Sequence, residues 1–169
     1  MKQTNDRKEK KGMQKITPFL WFDGKAEEAA NFYVSIFKNA KIVSVSRWGE
    51  GARDAPKGGV MSATIEIDGQ RFIAFNGGPM FKFTEAISLF VNAETQEEID
   101  HLWEKLSEGG QKSRCGWLKD KYGVSWQIIP PMLGELLQDK DAAKSKRAMQ
   151  AMLQMDKIDI AALKQAAAG

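Results

Sequence analysis

The stretch 26–37, AEEAANFYVSIF, decides the fold, because its pattern returns seventy positions later as QEEIDHLWEKLS at 96–107. In both stretches apolar side chains recur at the i, i+3, i+4 and i+7 spacing of an amphipathic helix. The shift superposes three apolar pairs: Phe32 on Leu102, Tyr33 on Trp103, and Ile36 on Leu106. A repeat at this distance predicts a duplicated structural unit.

Strand patterns flank both helices in the same order. Apolar and β-branched runs bounded by turn residues predict strands at 16–22, 41–48, 60–67, 70–76, 86–91, 111–118 and 123–129. Pro18 indicates that the first strand lies at a sheet edge, and Asp68-Gly69 is a strong hairpin signal. The sequence therefore predicts an α+β fold of two tandem βαβββ modules, about 13–82 and 83–135.

The two ends of the chain differ from the modules. Residues 136–169 are predicted to be a helical extension, with one helix at about 142–155 and another that begins after a cap at Asp159. In the longer helix Ala148, Met149, Met152 and Leu153 could form one apolar stripe. We interpret the series Met149, Met152 and Met155 as helix packing or dimer interface and not as a cofactor site. Residues 1–12 are polar and basic, and we expect a disordered leader there.

Composition and charge exclude several classes of protein. The chain has 169 residues, of which 43% are apolar and 28% charged, as is typical of one globular domain. The net charge of +3 lies in residues 1–12, so the remainder has no general footprint for nucleic acid. No apolar run approaches the roughly 20 residues of a membrane span. With one cysteine and no apolar leader, we expect a cytoplasmic protein without nucleic-acid or membrane partners.

Several local motifs resemble the vicinal oxygen chelate superfamily, which includes glyoxalases, extradiol dioxygenases and bleomycin- or fosfomycin-resistance proteins. They are similar to its PhnB-like branch, often called demethylubiquinone methyltransferase-like. The motifs are ITPFLWFDG (16–24), FNGGP (75–79), CGWLKD (115–120), YGVSWQ (122–127) and MQAML (149–153). The resemblance implies a curved mixed sheet whose concave side forms a cup for a small molecule, and a homodimer.

The metal ligands that the superfamily resemblance implies are missing from this sequence. Members carry His or Glu on the first strand and late in each module, where the ion acts as a Lewis acid. Here Gln127 stands at the last position, while the first-strand positions are Ile16 or Pro18 and Ala86 or Ser88. The single histidine, His101, falls on the polar side of a helix. We therefore expect no metal and no cofactor in the superfamily position.

The methyltransferase label has little support in the sequence. Binding S-adenosylmethionine in the common fold needs a strand, a Gly-rich turn and a helix. The turn Gly77-Gly78 follows a strand, but the residues after it, PMFKF, do not begin a helix. The order of elements also disagrees with a parallel sheet.

Strand alternation selects candidate ligand-cup residues. Since Gln127 occupies the ligand position, its face of the last strand should line the cup. The candidates are Trp21, Asn76, Ser88, Phe90, Trp117, Ser125 and Gln127. Three alternatives stay open: Leu20 and Phe22 replace Phe19 and Trp21 in the cup, the aromatic residues simply fill the cup, or Asn76 only shapes a turn. Cys115, beside Arg114, is expected to be a packing residue because no base is available to it.

These observations favour a metal-free, dimeric protein that binds a small molecule. The alternative is an enzyme of the superfamily with a non-standard active site, in which Ser88, Asn76 or Gln127, or a metal at another position, takes part in the chemistry. A third hypothesis places the function on the C-terminal helices as an interaction surface.

Overall fold

The computed structural model describes residues 14–50 and 58–169. The predicted leader at 1–12 lies outside these ranges, as does Arg53 of the loop after the second strand. The elements are β1 (Phe19–Phe22), α1 (Ala26–Ile36), β2 (Ala40–Arg47), β3 (Val60–Ile67), β4 (Gln70–Asn76), β5 (Ser88–Asn92), α2 (Gln96–Ser107), β6 (Gln111–Lys112), β7 (Trp117–Lys119), β8 (Ser125–Ile129), α3 (Pro131–Leu137), α4 (Ala142–Met152) and α5 (Ile160–Ala168). The predicted α+β fold of two tandem βαβββ modules with C-terminal helices is confirmed.

Each module forms a four-stranded mixed sheet with the same topology. The strand order is β1-β4-β3-β2 in the first sheet and β5-β8-β7-β6 in the second. In both sheets the first strand runs parallel to the last strand of its module, and the other pairs are antiparallel. β1 is an edge strand, as Pro18 predicted. Equivalent residues of the two sheets can therefore be compared directly.

The two modules share one hydrophobic core, which lies around α1 and α2. Leu20 and Phe22 of β1 face this core, as do Trp126 and Ile128 of β8. The ring of Tyr33 on α1 lies 5.4 Å from the ring of Trp126, so a helix of one module packs directly on the sheet of the other. Each sheet thus has one face against the common core and a second face that points away from it.

Local capping and turn signals are confirmed. Asp68 and Gly69 both adopt positive φ angles, 47° and 82°, as a tight hairpin between β3 and β4 requires. Thr95 caps α2, with its Oγ1 accepting a hydrogen bond from the Glu98 amide at 3.2 Å. Asp159 likewise caps α5. Within the described ranges no helix is both long and apolar enough to cross a membrane.

The strand predicted at 111–118 is wrong in its middle part. β6 and β7 are separated by residues that include Cys115 and Gly116, whose φ angles are 57° and 80°. Their amides donate to the carbonyls of Met155 and Asp156, at 2.8 and 2.7 Å, and not to a neighbouring strand. A partner from the C-terminal segment therefore interrupts the strand.

The C-terminal region contains one helix that the sequence did not predict. Pro130-Pro131 suggests a chain break, but Pro131 occupies the first turn of α3, where a missing N–H costs nothing. The predicted module boundary at 135 falls within this helix. The helix predicted to end at 155 ends at Met152. A second small core joins β8 to these helices through Ile129, Leu133, Ile158 and Leu163.

Candidate ligand-binding site

Five of the seven predicted cup residues lie together on the core-distal face of the second sheet, which we call the polar face. Phe90, Gln127 and Trp117 form one row across β5, β8 and β7. Ser88, Ser125 and Lys119 form the adjacent row. The polar face is therefore defined by Ser88, Phe90, Trp117, Lys119, Ser125 and Gln127. Lys119 was not predicted, although alternation with Trp117 along β7 would have found it.

A hydrogen bond between Ser88 and Gln127 spans the centre of the polar face. Gln127 Nε2 donates to Ser88 Oγ at 2.8 Å. Of the two first-strand positions left open by the sequence, Ser88 faces Gln127, whereas Ala86 precedes β5. The pair that stands where the superfamily has metal ligands thus consists of a hydroxyl and a neutral amide, which bind one another.

The donor set of this chain does not fit the superfamily metal. Histidine and carboxylate are the ligands that a catalytic divalent ion needs, and the polar face offers neither at Ser88 and Gln127. His101 is exposed on α2, with Nε2 3.0 Å from the Ile36 carbonyl oxygen. Among the described residues, no group of three His, Cys, Asp or Glu side chains could hold an ion.

Ser125 is the most unusual polar group on this face. Its side chain is 2% exposed, and its Oγ has no hydrogen-bond partner within residues 14–50 and 58–169. A buried hydroxyl without a partner is costly and calls for an explanation. Ser125 lines a pocket of about 400 Å³ together with Trp117, Lys119 and Glu85. The Lys119 ammonium forms an ion pair with the Glu85 carboxylate at this pocket.

The corresponding face of the first sheet is aromatic. Phe19 and Trp21 of β1 pair with Ile73 and Phe75 of β4, just as Ser88 and Phe90 pair with Ser125 and Gln127. The ring of Phe75 lies 5.2 Å from Phe19 and 5.3 Å from Trp21. We call this surface, defined by Phe19, Trp21, Ile73 and Phe75, the aromatic face. Leu20 and Phe22 pack into the core, so Phe19 and Trp21 are the residues of β1 that lie on the opposite face.

Trp21 is held in place against the Gly77-Gly78 turn. Its Nε1 donates to the Gly78 carbonyl oxygen at 2.9 Å. A Cβ atom at Gly77 would lie 2.1 Å from the indole ring, so only glycine fits there. Trp21 borders a pocket of about 800 Å³ that also includes Asp23, Trp48 and Asn76. The missing side chain at Gly77 thus makes room for the Trp21 indole and not for a ligand.

Asn76 ties three elements of the first module together. Its Oδ1 accepts from the Ala26 amide at 2.8 Å, and its Nδ2 donates to the Val60 carbonyl at 3.0 Å. It satisfies one of the free amides at the start of α1, where Lys25 provides no side-chain cap. Both polar groups of Asn76 are therefore engaged in holding the fold.

Asp120 is a buried, fully hydrogen-bonded carboxylate that was not among the residues predicted from the sequence. This buried carboxylate accepts from Tyr33 Oη at 2.8 Å, from Trp126 Nε1 at 2.9 Å, and from the amides of Tyr122 and Val124. Burial raises the pKa of Asp120, and the four donated bonds oppose that shift. Burial also raises the pKa of Tyr33 well above its usual value, helped by the Asp120 charge. The four hydrogen bonds use both oxygens of the Asp120 carboxylate. Because Tyr33 belongs to the first module and Asp120 to the second, their hydrogen bond joins the two modules.

Cys115 and the arginines lie outside the polar face, and Arg47 lines the pocket of about 800 Å³ beside Trp21 and Phe75. Cys115 is half-buried beside the C-terminal segment, and Arg114 is exposed. Arg71 pairs with Glu66 at 3.4 Å. Arg47 pairs loosely with Glu27, with 3.6 Å between the charged atoms. None of these residues adds a nucleophile or a bound anion site to the polar face.

Comparison with known proteins places the chain in a family. The family model described as 3-demethylubiquinone-9 3-methyltransferase matches residues 14–129. The chain belongs to this family. A PhnB protein from Bacillus cereus is 45% identical, with a TM-score of 0.64, over 69% of this chain and 99% of that one. The predicted PhnB-like membership is confirmed, and with it the vicinal oxygen chelate superfamily. Among curated proteins, none matches this chain.

More distant solved structures share the fold. The protein PA1353 from Pseudomonas aeruginosa is 20% identical, with a TM-score of 0.60, over 70% of this chain and 98% of that one. The fosfomycin resistance protein FosX from Listeria monocytogenes, solved with manganese(II) and sulfate, is 17% identical, with a TM-score of 0.50, over 75% of this chain and 98% of that one. Helices α3 to α5 begin after the residues that the family model matches.

Proposed function

We propose that this protein binds a small organic molecule on its core-distal sheet faces, as a cytoplasmic homodimer and without a metal ion at the superfamily position. The observation that carries the proposal is Ser125, a buried hydroxyl on the polar face that lacks a partner among the described residues. A ligand oxygen or nitrogen would remove the cost of leaving that hydroxyl unpaired. Trp117 offers a flat apolar wall beside it.

The direction of the two faces supports the proposed homodimer. Both faces point away from the shared core, so one chain does not close a cup with them. Phe19 of the aromatic face is 56% exposed, and Phe90 of the polar face is 55% exposed. Large exposed apolar side chains on sheet faces favour a contact with another protein surface. A second copy that sets an aromatic face over a polar face would bury both and enclose a ligand.

Light scattering with size-exclusion chromatography tests the dimer. Phe19→Glu and Phe90→Glu should each shift the protein toward monomer, because a charge would replace an apolar contact. Met80→Glu is the matched control, since Met80 is 76% exposed and belongs to neither face. A monomeric wild-type protein at tens of micromolar concentration contradicts the dimer.

Ligand binding is tested by thermal shift and equilibrium dialysis against a panel of metabolites and antibiotics. Compounds that stabilise the wild-type protein should lose affinity by about tenfold in Ser125→Ala or Gln127→Ala, the cost of one to two hydrogen bonds. Gln154→Ala, an exposed amide after α4, should leave affinity unchanged. A panel without a single hit, in a dimer whose two faces are packed shut, would refute the proposal.

Metal analysis of protein purified without chelators tests the proposal that no metal ion occupies the superfamily position. The hydroxyl–amide pair Ser88–Gln127 supports a site that works without an ion. A stoichiometric divalent ion would overturn this part. Gln127→Glu would restore a carboxylate there, and we expect it to raise affinity for manganese(II).

The second candidate is an enzyme of the superfamily with a non-standard active site. Ser125 favours it, because an unpartnered hydroxyl in a pocket could donate to a reacting oxygen. Methyl transfer has less support, since Trp21 packs on the Gly77-Gly78 turn and, in the described residues, β5 precedes the next helix. Conversion of a bound compound, lost in Ser125→Ala with binding retained, would favour the enzyme.

A further inference from the structure

The pocket of the polar face carries an ammonium group and, on the neighbouring strand, a hydroxyl that is unpaired within the described residues. Lys119 and Ser125 are direct neighbours across β7 and β8, and both line the pocket of about 400 Å³. Lys112 lines it too, but its ammonium is held by both oxygens of Glu104, at 2.7 and 2.8 Å. The carboxylate that reaches Lys119 is that of Glu85.

We propose that Lys119 and Ser125 form a subsite for the carboxylate of a small organic acid, and that Glu85 occupies this subsite in the unliganded protein. The proposal deepens the function proposed above and rests on it, because it names the chemistry of the ligand. It treats Glu85 as an internal stand-in for the ligand anion.

The chemistry of the lining selects an anion. Lys119 offers three N–H donors and no acceptor, and the Ser125 hydroxyl has a proton to donate and no hydrogen-bond partner among the described residues. A carboxylate accepts from both at once, and such charge-assisted bonds are the strong ones. Trp117 flanks the same pocket, so an aromatic or unsaturated acid can lay its ring against the indole.

The exposed position of Glu85 allows a ligand to displace it from Lys119. It lies on the connection between β4 and β5, and its side chain is 63% exposed. The hydrogen bond from Lys119 lowers the pKa of Glu85, so it competes as an anion at neutral pH. Exposed ion pairs contribute little to stability, and a ligand that also reaches Ser125 therefore replaces Glu85 at low cost.

Sodium benzoate is the probe, with benzamide as its neutral counterpart. Affinity is measured by isothermal titration calorimetry on the full-length protein and by the NMR shift of the Trp117 indole N–H. We expect benzoate to bind more tightly than benzamide. Lys119→Gln should weaken benzoate about tenfold or more, and Glu85→Gln should tighten it about two- to fivefold, because the internal competitor is gone. Asp139→Asn removes the carboxylate of the Lys144 ion pair on the C-terminal helices, and it should leave affinity unchanged.

The gain in Glu85→Gln is the decisive result, because a folding defect would not produce it. Equal binding of benzoate and benzamide, or a Glu85→Gln affinity no higher than that of Asp139→Asn, overturns the subsite. If panel compounds then bind through Gln127 and Ser88, the proposed function survives without it. If neither the panel nor benzoate binds the wild type or Glu85→Gln, both proposals fail.

Discussion

The Asp120 carboxylate gives the sharpest prediction about stability. Asp120→Asn keeps the shape of the side chain but replaces one acceptor oxygen by an amide NH₂. If the NH₂ faces the backbone side, the amides of Tyr122 and Val124 both face another donor; if it faces the other side, the Tyr33 hydroxyl turns to accept from it and only Trp126 Nε1 is left unpaired. Each buried donor left unpaired costs about 1–3 kcal/mol. In the better orientation one donor is left unpaired, and we expect the free energy of unfolding to fall by about 2 kcal/mol.

Urea unfolding followed by circular dichroism and tryptophan fluorescence measures this loss. Tyr33→Phe removes one donor and leaves three on the carboxylate, so it should cost about 1.5 kcal/mol. The matched control is Tyr122→Phe, which removes a hydrogen bond from Tyr122 to Glu28 at the surface and should cost less than 1 kcal/mol. An Asp120→Asn variant within 0.5 kcal/mol of wild type, or equal losses in the two tyrosine variants, would refute the reasoning.

Three further predictions use the same unfolding assay. Gly77→Ala should lose about 2 kcal/mol and alter the fluorescence of Trp21, because its Cβ overlaps the indole, whereas Gly134→Ala, with open space on α3, should lose nothing. Thr95→Ala should cost about 1 kcal/mol through the lost cap of α2. Burial raises the pKa of Asp120 above 3.8, so the folded state binds the carboxyl proton more tightly than the unfolded state does. The stability of wild type relative to Asp120→Asn should therefore fall as pH rises from 3.8 through the folded pKa. A rise in relative stability over that range would contradict a raised pKa.

The sequence predicted those parts of the fold that depend on local chemistry. Asp68-Gly69 and Thr95 act through neighbouring residues, so their effects could be read from a few positions. The alternation of Ser125 and Gln127 with Trp126 also separated the two faces of β8, because successive side chains of a strand point to opposite faces even where residues on both are buried.

The failures of prediction come from partners that are distant in sequence. The bend at Cys115 and Gly116 depends on carbonyls forty positions later, which no periodicity shows. Asp120 lies in a polar turn and resembles a solvated residue, although Tyr33 and Trp126 give it a buried role. The available signal was the position of Asp120 at the start of a β-turn, because aspartate side chains there often accept hydrogen bonds from the amides that follow.

The pairing of Cys115 and Gly116 with the C-terminal segment has a consequence for how the family diversifies. Because Gly116 is buried, its amide needs an acceptor, and here Asp156 supplies it from beyond the family-matched residues. A relative that ends near position 129 must satisfy the corresponding amide in some other way. The C-terminal segment can therefore set the path of the chain between β6 and β7, directly before Trp117, without contributing a lining residue to the pocket.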